Sequence, residues 1–283
     1  MNQKPLSKRP LKIRAVEALL HAFSRQHPDT AIDAKGYVTD FRDTLLPGVF
    51  PEDFEADLSA GDGNELNTKF GAAHSSSGLA VNCFAPFRRQ MTDLKIQEHG
   101  TFDELQFEQK CSTGLRGGRA PNLDILLSGP NGIVAIESKL TEYLSAHRAK
   151  FSPAYGKQIQ DTRREQGYFH EMQRLQECPG HYTRLDAAQL IKHAFGLAHN
   201  FSNNRPVTLL YLFWEPANPD VSPEFATHRD EIQEFKTRVS GSSPAFEAMS
   251  YPELWRFWRE NGSTPAWLRQ HLDNLQRRYL PHI

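Results

Sequence analysis

The sequence has few cysteines and no long apolar run. Its 283 residues include only Cys83, Cys111 and Cys178, which are too few and too scattered to form a disulfide framework. No apolar segment approaches the roughly 20 residues that a membrane-spanning helix needs. Residues 1–10 carry basic side chains, but the apolar segment of a secretory signal does not follow them. We therefore expect a cytoplasmic protein with no membrane partner.

An excess of charge of one sign is also lacking. The 33 lysines and arginines nearly balance the 34 aspartates and glutamates, which gives a formal net charge of −1. A protein that coats nucleic acid without specificity needs a strongly basic surface, so this class is disfavoured. Any nucleic-acid contact must come from a local basic patch. With 39% hydrophobic and 24% charged residues, the composition is that of an ordinary globular protein.

The order of the predicted elements favours an α/β fold. Apolar residues at helical spacing predict a first helix over residues 11–25, and apolar or alternating segments predict strands further along. The predicted strands cover 104–108, 123–127, 133–138 and 207–214, and the further predicted helices cover 64–84 (interrupted near Gly71), 158–177, 186–201, 226–239, 252–260 and 265–279. This order fits a mixed β-sheet flanked by helices, with extra N- and C-terminal helices.

Two of these strands are joined by a favourable turn. The tetrapeptide Gly129–Gly132 has proline at its second position and glycine at its fourth, as β-turns prefer. A turn centred on its second and third residues places residue 124 opposite residue 137. A turn centred on its third and fourth residues places 124 opposite 139. In both registers Asp124, Glu137 and Lys139 share one face of the sheet, because side chains alternate with a period of two.

Two carboxylates and an ammonium on such apolar strands are costly to bury unless they are paired or bind a metal. Carboxylates at cross-strand distance repel each other, and Mg²⁺ or Mn²⁺, which prefers hard oxygen ligands, would relieve the repulsion. Such an ion stabilises charge on a phosphodiester and activates water, and a lysine on the same face can orient that water. A structural ion pair between Asp124 and Lys139 on a half-exposed face would also explain these charges.

A short motif resembles that of the PD-(D/E)xK nuclease superfamily, which has the restriction-endonuclease-like fold. Pro121-Asn122-Leu123-Asp124 is followed, after twelve residues, by Glu137-Ser138-Lys139. The proline departs from the family pattern, since it precedes the aspartate by three positions. The predicted elements from about 64 to 214 follow the family order of helix, three antiparallel strands, helix and strand. The resemblance implies a single nuclease domain over 1–283, with its core at about 64–214, a helical N-terminal extension over 1–63 and a helical C-terminal region over 225–283.

The resemblance also assigns roles to residues. Asp124 and Glu137 would hold the metal together with the backbone carbonyl of Ser138, and Lys139 would be the catalytic lysine. Many members add an acid from the upstream helix. Glu65 is the candidate here, and Glu108 on the first strand is the alternative.

A second feature resembles the helix that follows the lysine strand in some members, which carries a glutamine and a basic or aromatic residue near the active site. Gln189 with Lys192 or His193 matches this arrangement. Lys192 and His193 would then contact the substrate. A solvated helix face is the alternative interpretation.

The substrate implied by the resemblance is DNA, cut by a Mg²⁺-dependent endonuclease in restriction, defence or repair. Arg116 and Arg119 lie in a glycine-rich segment that leads into the Asp124 strand, so we expect them to contact phosphates unless they are merely solvated. RNA is an alternative substrate. A homodimer is implied only by analogy with duplex-cutting members. The alternative function is a catalytically silent nucleic-acid- or protein-binding module on the same fold.

Overall fold

A single sheet organises the chain. The computed structural model describes residues 9–60, 66, 68–115, 120–158, 166–201, 205–260 and 264–283. The strands are β1 (Glu104–Lys110), β2 (Asn122–Gly129), β3 (Gly132–Lys139), β4 (Val207–Phe213) and β5 (Ala245–Ser250). The helices are α1 (Leu11–Gln26), α2 (Glu55–Ala60), α3 (Ser76–Phe84), α4 (Pro153–Gln158), α5 (Gln166–Glu177), α6 (Ala187–Asn200), α7 (Pro223–Arg238), α8 (Tyr251–Glu260) and α9 (Ala266–Tyr279).

The sheet is mixed, and its strands lie in sequence order from β1 to β5. The first three strands are antiparallel, whereas β4 runs parallel to β3 and β5 parallel to β4. Every residue of β4 is buried, which explains its almost unbroken apolar sequence. The predicted α/β class, a mixed sheet flanked by helices, is confirmed.

Helices cover both faces of the sheet. Neighbouring residues of a strand point to opposite faces. On β3, Glu137 lies against His193 of α6, whereas the Ser138 hydroxyl lies 2.7 Å from the hydroxyl of Tyr251 at the start of α8. On the face that carries Glu137, α5 packs on α6 and α7. On the face that carries Ser138, α9 packs on α3 and α8.

Most predicted helices are present, with local signals at their ends. Of the predicted helix over 64–84, only α3 is an α-helix among the described residues, because residues 68–75 form turns. Ser75 caps α3, since its hydroxyl accepts a hydrogen bond from the Gly78 amide over 3.1 Å. The C-terminal region is not wholly helical, however. Residues Ala245–Ser250 form β5, which the sequence prediction missed because the segment is only partly apolar and half of it is not fully buried. None of the helices in the described ranges is long and apolar enough to cross a bilayer.

A close backbone approach at Gly196 fixes α6 against the end of β1. A Cβ atom at this position would lie 2.5 Å from the carbonyl oxygen of Cys111. We expect Gly196→Ala to lower the free energy of unfolding by about 1–3 kcal/mol, because backbone must move to admit the methyl group. Gly180→Ala is the matched control, since a methyl group there would have no atom within 4 Å. Urea denaturation measures both, and equal stabilities would contradict the prediction.

Candidate active site

The β2–β3 hairpin brings two carboxylates together. Ile125 pairs with Ile136 and Gly129 pairs with Gly132, so the turn is centred on its second and third residues. The next step along this register sets Asp124 opposite Glu137. Opposed residues of antiparallel strands lie on the same face, which places both carboxylates side by side. Of the two predicted registers, the structure selects the first.

Lys139 completes the group within its own strand. Its Nζ donates a short hydrogen bond to Glu137 Oε1. The Ser138 amide donates to Asp124 Oδ2 over 2.6 Å, which ties β2 to β3 beyond the last paired residues. The side chain of Glu137 is only 2% exposed and that of Lys139 is 14% exposed. The alternative left open by the sequence, a cross-strand ion pair of Lys139 with Asp124, is not among the ion pairs of the described residues.

Burial and neighbouring charges shift the pKa values of Asp124, Glu137 and Lys139 in different directions. Burial, followed by the charge of Glu137, raises the pKa of the Asp124 carboxyl well above its usual value. Burial also disfavours charge on Glu137, but the charges of Lys139 and His193 outweigh it and lower the pKa of Glu137 to about 2. Burial likewise disfavours charge on Lys139, yet the two carboxylates raise the pKa of its ammonium. One ammonium thus lies near two carboxylates. It stabilises the negative charge of Glu137 more than that of Asp124.

His193 lies beneath Glu137. Its Nε2 atom is 2.9 Å from Glu137 Oε2, but the contact lacks hydrogen-bond geometry, so Oε2 is buried without a donor among the described residues. His193 itself is fully buried. The predicted contact of His193 with substrate does not fit this burial. Its place on α6 suits a side chain that holds the carboxylate, a role that helical spacing alone did not indicate.

An open cleft with a volume of about 680 Å³ borders these side chains. It is formed by the beginning of α1, the loop before α3, the first turn of α3, and the ends of β1, β2 and β3. The charged residues that line it are Lys12, Lys69, His74, Glu108, Asp124, Glu137, Lys139 and Glu142, and its polar lining includes Ser75, Ser76, Ser77, Asn122 and Gln189. The cleft makes the carboxylate pair reachable from solvent although Glu137 is almost fully buried.

Glu108 stands next to the pair on β1. The register sets Phe107 opposite Ile125 and Gln109 opposite Leu123, so Glu108 is level with Asp124. Its φ of 51° is in the left-handed region, which is uncommon for a residue with a side chain and marks functional sites. The charge of Glu108 adds to the rise in the pKa of Asp124. Glu108, the alternative candidate for the accessory acid, therefore lies beside Asp124 and lines the same cleft.

The other predicted site residues divide into two groups. Gln189 lines the cleft. Its backbone N–H donates a hydrogen bond to the capping carboxylate of Asp186 over 3.0 Å, which fixes the first turn of α6. Lys192 is half-buried, with its Nζ 5.5 Å from the centre of the Phe151 ring, and burial lowers the pKa of its ammonium. Glu65, Arg116 and Arg119 lie outside the described residues.

The oxygen atoms of the pair fit a hard, partly hydrated cation. Two adjacent carboxylates share one ammonium, and Glu137 Oε2 accepts no hydrogen bond from a described residue. The described ranges contain no group of three or more His, Cys, Asp or Glu side chains placed to enclose an ion. Mg²⁺ does not need such a cage, because it keeps several waters and binds through one or two carboxylates.

Comparison with known proteins gives one match. No curated protein and no solved structure matches the chain significantly. The sequence model of the family REase-ARP, described as "Restriction Endonuclease associating with ARP", matches residues 17–280. This range includes all five strands and the carboxylate pair, and a five-stranded mixed sheet with flanking helices agrees with a restriction-endonuclease-like fold. The chain belongs to the REase-ARP family of restriction-endonuclease-like proteins.

Proposed function

We propose that this protein is a metal-dependent nuclease that hydrolyses phosphodiester bonds of DNA, with a PD-(D/E)xK catalytic set. The observation that carries the proposal is the position of Asp124 opposite Glu137, with Lys139 bonded to Glu137, at the edge of an open cleft. Membership of a family described as a restriction endonuclease supports it. The proposed enzyme cuts duplex DNA internally, as an endonuclease of restriction, defence or repair.

Asp124, Glu137 and the Ser138 carbonyl would hold Mg²⁺ or Mn²⁺. Such an ion, when bound, supplies a nucleophilic hydroxide near neutral pH and neutralises charge on the phosphodiester. Lys139 keeps its proton, since both carboxylates raise the pKa of its ammonium. It therefore acts as a hydrogen-bond donor to the attacking water or to a phosphate oxygen. Gln189 offers a further donor from the side of α6.

Cleavage assays on linear, supercoiled and single-stranded DNA, and on RNA of the same sequence, test this proposal. Each substrate is incubated with Mg²⁺, Mn²⁺ or EDTA, and an identically purified Glu137→Gln variant controls for contaminating nucleases. We expect metal-dependent cutting by the wild type alone, and cutting of the closed circle identifies an endonuclease. A folded wild type that cuts none of these substrates contradicts the proposal and favours a catalytically silent binding module.

His193 is expected to act as a positioning residue for Glu137. Replacement by leucine removes the nitrogen next to Oε2, so we expect cleavage to fall by about 10–100-fold and half-saturation to need more Mg²⁺. His193→Gln places an amide nitrogen near the position of Nε2 and should recover part of this loss. Titration of the cleavage rate with Mg²⁺ measures both effects. If folded His193→Leu protein keeps the wild-type half-saturation, His193 only fills space.

A further inference from the structure

We propose that Lys12, Lys69 and His74, here called the basic wall, bind the phosphate backbone of the DNA beside the reacting phosphodiester. This inference rests on the proposed nuclease function and identifies where the substrate strand lies. Lys12 is on the first turn of α1, and the other two residues are in the loop before α3. All three line the same cleft as Asp124 and Glu137.

Among the described residues, no carboxylate forms an ion pair with either lysine of the basic wall, Lys12 or Lys69. The four described carboxylates that line the cleft have other partners, and for Glu108 one of these is the side-chain amide of Asn122. Glu137 is bonded to Lys139, Asp124 accepts from the Ser138 amide, and Glu142 accepts from the Leu140 amide over 2.7 Å. The basic wall is therefore free to neutralise an anion that enters the cleft.

A buried positive charge lies close to the basic wall. The guanidinium of Arg278 is almost completely buried, and it donates hydrogen bonds to the carbonyl oxygens of Leu19 and Ala73, not to a carboxylate among the described residues. Ala73 directly precedes His74 in the chain. Burial lowers the pKa of the His74 imidazole most, the charges of Lys12 and Arg278 lower it further, and the charge of Glu142 opposes them. Lys12 and Arg278 are therefore both close enough to His74 to act on its charge.

The first turn of α3 is also next to the basic wall. Ser76 and Ser77 line the cleft directly after the basic wall, at the N-terminal end of a nine-residue helix. The dipole at such an end favours negative charge. Two lysines and a helix end thus line the same cleft as the carboxylates of the proposed metal site, and a buried guanidinium lies behind the loop that carries His74. Phosphate contacts of this kind position a strand without reading its sequence.

DNA binding as a function of salt tests the inference. The affinity of a labelled duplex is measured by fluorescence anisotropy with Ca²⁺ in place of Mg²⁺, over roughly 50–200 mM KCl. We expect the double variant Lys12→Gln/Lys69→Gln to bind about tenfold or more weakly. The dependence of log K on log salt should flatten by about 0.9 for each phosphate that the variant no longer neutralises. Lys236→Gln, an exposed change on α7, is the matched control and should behave as wild type.

The outcomes separate this inference from the proposed function. The charge-preserving variant Lys12→Arg/Lys69→Arg should recover the affinity and the salt dependence, which excludes a folding defect as the cause. If the glutamine variant binds with wild-type affinity and slope while the wild type cuts DNA, the basic wall is overturned and the nuclease stands. A weaker affinity with an unchanged slope also overturns the inference. A wild type that neither binds nor cuts DNA overturns both.

Discussion

Lys139→Met is expected to reduce metal-dependent DNA cleavage by about 10²–10³-fold, the loss typical of removing one preorganised donor to the transition state. Methionine keeps the length and the apolar stem of lysine, so the change removes the ammonium without opening a cavity. The loss should appear in kcat more than in KM, because the ammonium acts on charge that develops during the reaction.

The same substitution should alter the response of stability to metal. Without the ammonium, the contact with His193 is the one ion-pairing contact left to Glu137 among the described residues, and loss of one partner from a buried pair is strongly destabilising. A divalent cation between Asp124 and Glu137 would compensate for part of this loss. We therefore expect Mg²⁺ to raise the Tm of Lys139→Met by more than it raises that of the wild type.

Lys236→Met controls for the general effect of removing a lysine, since this exposed residue of α7 does not line the cleft. Single-turnover cleavage and thermal melts with and without Mg²⁺ measure both effects. A Lys139→Met protein that cuts at the wild-type rate would remove Lys139 from the mechanism.

The sequence predicted the centre of the site because that part of the site is local. The turn Gly129–Gly132 limits the hairpin to two registers, and both place Asp124, Glu137 and Lys139 on one face. Only the structure decides between the registers. It also shows that the lysine pairs with the glutamate of its own strand, two residues before it on the same face of β3.

The rest of the site depends on contacts between distant segments. For the face of α6 that carries His193, sequence periodicity left open a substrate-contacting face or a solvated one, but the fold buries the imidazole against Glu137. Lys12 and Lys69 are far apart in the sequence. They line one cleft because α1 and the loop before α3 both border it. Strand β5 was missed for a similar reason, since its position beside β4, not its own composition, makes it a strand.

Asp124→Asn is expected to change activity and stability in opposite directions. The asparagine oxygen can still accept the hydrogen bond from the Ser138 amide, so the hairpin geometry is kept. Loss of a charged metal ligand should lower cleavage by at least about 10³-fold, because the metal supplies several kcal/mol of transition-state stabilisation. In the absence of metal, however, the variant should unfold at a higher urea concentration than the wild type at pH 8.

The direction of this stability change follows from the pKa of Asp124. Burial and Glu137 raise the folded-state pKa above the unfolded value of about 3.9, so the folded protein holds this proton more tightly. The resulting stability is fully present below about pH 4 and is lost as the pH rises through the folded-state pKa. Glu137 acts in the opposite sense, because its lowered pKa of about 2 gives stability that is fully present above the unfolded value of about 4.3 and is lost as the pH falls through the folded-state pKa.

At pH 8 the unfolded chain has an ionised Asp124, so the metal-free wild type must on folding either bury this charge beside Glu137 or take up a proton, and both cost stability that Asp124→Asn does not lose. We expect a gain of about 1 kcal/mol in the free energy of unfolding for the variant, shrinking towards zero as the pH falls below the folded-state pKa of Asp124. Mg²⁺ should make the wild type the more stable of the two proteins, because it binds the wild type more tightly than a variant that lacks one of its proposed ligands. Urea titrations at several pH values, with EDTA or Mg²⁺, measure all three effects. A variant that is less stable in EDTA at every pH would show that Asp124 is a structural residue, whereas the expected crossing means that the site is strained until a cation binds.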